Sequence, residues 1–84
     1  MKQNQCVDVI SVCNSQGDIM PLRLQLLDDA QQLVRVHIRQ AKREQEITHV
    51  GAEAVIFRCW ARVHERDLHF RLKYTFRSHV WQIL

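Results

Sequence analysis

Residues 55–76, VIFRCWARVHERDLHFRLKYTF, alternate apolar and polar side chains on both sides of His64-Glu65-Arg66-Asp67. Side chains on a strand point to opposite faces with a period of two, so this pattern predicts two half-buried strands joined by a tight turn. One parity (Val55, Phe57, Cys59, Ala61, Val63, then Leu68, Phe70, Leu72, Tyr74, Phe76) supplies a core face. The other carries Arg58, Trp60, Arg62, His69, Arg71 and Lys73, with no acid among them. Ile56, also on that side, is its aliphatic exception. A four-residue loop closed by Val63 and Leu68, or a two-residue loop closed by His64 and Asp67, gives one register. In it Arg62 faces His69, Trp60 faces Arg71 and Arg58 faces Lys73. Trp60 over Arg71 is then a cation–π pair worth about 0.5–1 kcal/mol at an exposed site.

Outward from this hairpin, the rest of the chain also reads as β. Cys6–Cys13, CVDVISVC, is a first strand rich in β-branched residues, and Asn14-Ser15-Gln16-Gly17-Asp18 is a turn cluster. Ile19–Leu27 resumes as a second strand, with Leu22, Leu24 and Leu26 on one face and Pro21 near its start. After Asp28-Asp29-Ala30-Gln31, Leu33–Arg39 alternates Val34, Val36 and Ile38 against Arg35, His37 and Arg39. Ala30, Val34, Ile38 and Ala41 also share a helical stripe with Asp28 or Asp29 as a cap, but three β-branched residues at period two favour a strand. The polar run near 40–47 is expected to leave the sheet as a short helical turn, before a loop around Gly51. A final strand spans Val80–Leu84. A two-residue turn at Ser78-His79 places Phe76 opposite Trp81 and Tyr74 opposite Ile83.

The chain has 84 residues, 46% of them hydrophobic, and reads as a single domain over 1–84. So short a meander of about six strands must curl into a small barrel or roll to bury its inner face. The predicted class is therefore all-β and antiparallel.

The net charge of +3 is mild and unevenly placed. Residues 55–84 hold six Lys/Arg against Glu65 and Asp67, whereas residues 1–54 hold six against seven acids. No window has the roughly 18 apolar residues of a membrane span, and MKQNQCVDV lacks the apolar stretch of a signal peptide, so a cytoplasmic chain without membrane contact is expected. Cys6, Cys13 and Cys59 are odd in number and form no C-x-x-C. Neither a disulfide framework nor zinc is predicted, and Cys59 reads as a small buried hydrophobe. Two glycines leave no phosphate-binding loop, and the scattered Ser, Cys and His residues show no nucleophile elbow or dyad. A non-enzymatic protein without cofactor is the expectation.

Several spaced features resemble a family of short uncharacterised β-meander proteins of clostridial-type Gram-positive bacteria. They are Val7 and Val9, Gly17-Asp18-Ile19-Met20-Pro21-Leu22, Asp28-Asp29, Val34 to Ile38, Gly51-Ala52, Phe57-Arg58 and Trp81. The resemblance implies a small β fold and no known activity. The chain departs from that pattern at Asp29-Ala30 and Ser78-His79, where Asp-Gly is usual and a turn with φ > 0 is implied.

The basic parity of the hairpin carries the functional expectation. Cations that meet phosphates and a tryptophan that stacks on an unpaired base suit single-stranded nucleic acid, with Arg35 and Arg39 as extensions. The plain alternative is a solvated sheet face whose charged stems cover apolar surface and discourage edge pairing. A third reading is a protein-interaction module or homodimer that uses Trp60 and Ile56, or a free strand edge.

Overall fold

The computed structural model describes residues 4–84 and contains six strands: β1 (Gln5–Cys13), β2 (Ile19–Leu27), β3 (Leu33–Ile47), β4 (Ala54–Val63), β5 (Arg66–Thr75) and β6 (Val80–Ile83). Each pairs antiparallel with the next, and β6 returns to β1, closing an antiparallel barrel. No helix among the described residues is long and apolar enough to cross a membrane.

Two strands change partners partway. β1 pairs with β6 through Gln5–Val7 and with β2 through Asp8–Cys13. β3 pairs with β2 through Leu33–His37 and with β4 from Ile38 to Ile47. This sharing folds a short meander around one core. Phe57, Leu24, Leu72, Val36, Val55 and Cys59 are fully buried, and Trp81 lies between Phe57 (5.9 Å between ring centroids) and Tyr74 (4.8 Å). Each such Val, Leu or Phe contributes roughly 1.5–3 kcal/mol by leaving water.

The expected helical turn near 40–47 is instead strand. The period-two pattern is hidden there because β3 is irregular against β4 at two places, leaving Arg39 and Glu44 as the extra residues. A bulge opposes two residues to one and resets the alternation, so a bulged strand looks aperiodic in sequence. A third irregularity, opposite Ile10/Ser11, leaves Leu22 as the extra residue of β2. Leu22 is consequently 45% exposed rather than buried with Leu24, and Pro21 takes the inner position.

Both C-terminal hairpins differ from the expected register by two residues. The β4–β5 turn is His64-Glu65 alone, with φ of 50° and 63°, closed by Val63 opposite Arg66. Two successive left-handed residues form the two-residue turn whose twist matches a hairpin. Trp60 therefore faces His69, Arg58 faces Arg71 and Lys73 faces Ile56. The β5–β6 connection has four residues, 76–79, so Tyr74 faces Trp81 and Leu72 faces Ile83. Phe76 leaves the core for the surface, where it packs edge-on against Tyr74. A shift of two preserves parity, which is why inner and outer faces agree with the sequence pattern although the partners do not.

The β1–β2 and β2–β3 turns share one construction. Asn14 Oδ1 accepts from the backbone N–H groups of Gln16 and Asp18, and Asp28 Oδ1 accepts from those of Ala30 and Gln32, all at 2.9 Å. In the first turn Gly17 takes the positive φ. In the second it falls on Gln31, the neighbour of Ala30, and His79 carries it in the last loop.

Candidate nucleic-acid interface

The outer surface of β3, β4 and β5 is built in rows set by register. Lys42, Arg58 and Arg71 form one row, and Gln40, Trp60 and His69 form the next. Two residues along a strand separate these rows by about 6.7 Å. Arg62 follows, opposite Asp67, and Lys73 lies at the other end beside Ile56.

Trp60 and His69 stack with ring centroids 5.0 Å apart and an interplanar angle of 11°. The stack takes the place of the expected cation–π pair between Trp60 and Arg71. Trp60 also borders an open recess with Lys42, Arg43, Glu44 and Arg58. One side of the platform is thus closed by an imidazole, and a charged recess adjoins the tryptophan.

An acid stands among these cations. Glu44, the extra residue of the second β3 bulge, receives Arg58 Nη2 at 2.6 Å on one carboxylate oxygen and Arg71 Nε at 2.8 Å on the other. The hydrogen bond from Arg71 is the main reason its carboxyl is held below the ordinary glutamate value, with Arg58 adding to the effect and partial desolvation opposing it. Two like charges at directly opposed positions, Arg58 and Arg71, are reconciled in this way. Neither Glu44 nor Lys42 was legible as part of the face, since both belong to the stretch expected to leave the sheet.

The two proposed extensions join at different points. Arg39 is the bulged residue between the Ile38–Ala61 and Gln40–Trp60 pairs, so it lies beside the platform. Arg35 pairs with Gln25 on β2, and it lines a recess with His37, Arg62 and His64 at the far end of the face. Ile56 is no surface anchor. It is only 5% exposed, with Gln45 and Lys73 as its partners on the two neighbouring strands.

Away from this face, Tyr74 Oη and His79 Nδ1 share a hydrogen bond at 2.8 Å. Cys6 and Cys13 are exposed, and Cys59 is buried, with burial pushing its thiol up to about 12. No group of three or more His, Cys, Asp or Glu side chains placed to hold a metal ion occurs among the described residues. No family model, curated protein or solved structure matches the chain.

Proposed function

We propose that this protein is a non-enzymatic binding protein that takes single-stranded nucleic acid across the outer face of β3–β5. The observation that carries the reading is Trp60, stacked on His69 and bordering a recess that it shares with Lys42 and Arg58. An unpaired base stacks in the recess against the indole, as aromatic platforms do irrespective of base identity. Lys42, Arg62 and Lys73 meet phosphates, with Arg39 and Arg35 extending the path. Arg58 and Arg71 play a different part. Glu44 holds both guanidiniums in place, and its charge opposes phosphate at the same spot. Affinity is accordingly modest, with Glu44 limiting it.

The test is fluorescence anisotropy of a labelled single-stranded oligonucleotide titrated with the protein over a range of salt. Contacts from Lys42, Arg62 and Lys73 alone give a slope of log K against log salt of about −2, and Arg39 and Arg35 bring it to about −3.5. Trp60→Ala weakens binding by about 1–3 kcal/mol, roughly 5- to 150-fold. No binding at low ionic strength would sink the proposal. The reading with Trp60 and Ile56 as a protein-interface anchor loses support, because Ile56 is buried.

A further inference from the structure

On the opposite side of the barrel, the β1–β2 ribbon outruns its neighbours. Beyond Val7 no residue of β1 pairs with β6, and no residue of β2 before Arg23 pairs with β3, among the described residues. Ile10, Ser11, Val12 and Cys13 are all exposed, four consecutive residues covering both parities. Ile10 is 53% and Val12 47% exposed, and Leu22 lies on the paired strand nearby.

The ribbon's two edges are not alike. The β2 edge carries Pro21 and the bulged Leu22, both features that discourage strand addition. The β1 edge from Val9 to Cys13 has no proline, no bulge of its own and no charge. Backbone N–H and C=O groups along such an edge are a template for another strand. A groove follows it, lined by Val9, Ser11, Ile19, Val80 and Trp81 among others.

We propose that β1 pairs antiparallel with β1 of a second copy of this chain, about a two-fold axis through Ser11. In this register Ser11 meets itself, Ile10 meets Val12 of the second copy, and Val9 meets its Cys13. Faces stay continuous across the joint because the paired positions share parity. Two β-branched Ile–Val pairs form on the outer face, and such cross-strand pairs stabilise sheets. Self-pairing brings a segment against its own charges. A segment with none, Val9–Cys13, meets no like-charge repulsion, which favours a second copy as the occupant. An isologous contact also closes on itself and does not propagate. The joint lies across the barrel from β4, so both basic faces stay free, and it stands whether or not those faces bind nucleic acid.

Sedimentation of the full chain across micromolar concentrations is expected to show a reversible monomer–dimer equilibrium that high salt does not dissolve. Val12→Lys puts two like charges into the joint and raises the dissociation constant roughly tenfold or more, while the thermal melt shows the variant still folded. In a Cys6→Ser, Cys13→Ser background, Ser11→Cys forms a disulfide-linked dimer under mild oxidation, and Ile10→Cys does not. A monomer at every concentration overturns the proposal. So does cross-linking of equal yield at positions 10 and 11, or a Val12→Lys variant that dimerises unchanged.

Discussion

Replacing His64-Glu65 by Asn-Gly probes the register on which the basic face depends. Both residues are in the left-handed region, at φ 50° and 63°, and both are exposed. An L-residue there costs about 1–2 kcal/mol, which glycine avoids and asparagine lessens. Glycine returns about 0.5–1 kcal/mol of that through its greater freedom in the unfolded chain. The net gain is about 1 kcal/mol, or about 4–8 °C in Tm for a domain of this size. Urea denaturation is the cleaner assay. With a slope of about 1–2 kcal/mol/M, the midpoint rises by about 0.5–1 M while the slope stays fixed. The same dipeptide one position later, Glu65→Asn with Arg66→Gly, puts glycine into the first residue of β5 and lowers the midpoint. An unchanged or lowered midpoint for the double variant His64→Asn, Glu65→Gly would refute the two-residue turn. The register closed by Val63 and Leu68 would then return, with Trp60 opposite Arg71 rather than His69.

The site and the core carry the other expected outcomes. Glu44→Gln removes the carboxylate that holds Arg58 and Arg71, so oligonucleotide affinity rises and the salt slope steepens by about 0.7 for each guanidinium that reaches a phosphate; unchanged affinity would show that neither arginine touches the ligand. Because folding lowers the Glu44 pKa, its stabilising contribution is present above the ordinary value of 4.5 and is lost as pH falls through the folded value, and the Gln variant lacks this part of the acid limb in pH-dependent melts. At pH 8 an alkylating reagent is expected to label Cys6 and Cys13 while sparing Cys59 until the protein unfolds, as peptide mapping would show. Burial raises the Cys59 pKa, so its neutral form is stabilising below the ordinary value of 9.0, and that contribution is lost as pH climbs towards about 12.

The alternation in 55–76 is enough to place Phe57, Cys59, Leu72 and Tyr74 inside and Arg58, Trp60 and Arg71 outside, because a strand's two faces are set by parity alone. It is not enough to name their partners. Pairing depends on turn length, and neither His64-Glu65 nor the loop 76–79 contains the Asn-Gly or Asp-Gly that would declare it. Parity itself fails where a strand gains a residue. The bulges at Leu22, Arg39 and Glu44 turn a leucine outward and disguise the second half of β3 as polar loop. With that half go Lys42 and Glu44, and the expected register leaves Asp67 in the turn rather than opposite Arg62, so the face reads as purely basic in the sequence. The burial of Ile56 is hidden for another reason: its neighbours Gln45 and Lys73 lie on two other strands, which no single stretch of sequence displays.

Closure of the barrel rests on three residue pairs, Gln5–Ile83, Cys6–Gln82 and Val7–Trp81. Their sequence separation is nearly the length of the chain, so this ladder carries the largest loop-closure entropy of any in the fold. Hairpins can form locally in microseconds, but the seam waits for every intervening strand. It is therefore placed to form last during folding and to open first under native conditions. Amide exchange would then be faster at Val7 and Trp81, whose N–H groups face each other's strand across the seam, than along β4, and each opening would bare Trp81 and Ile83 without unfolding the sheet that carries Trp60.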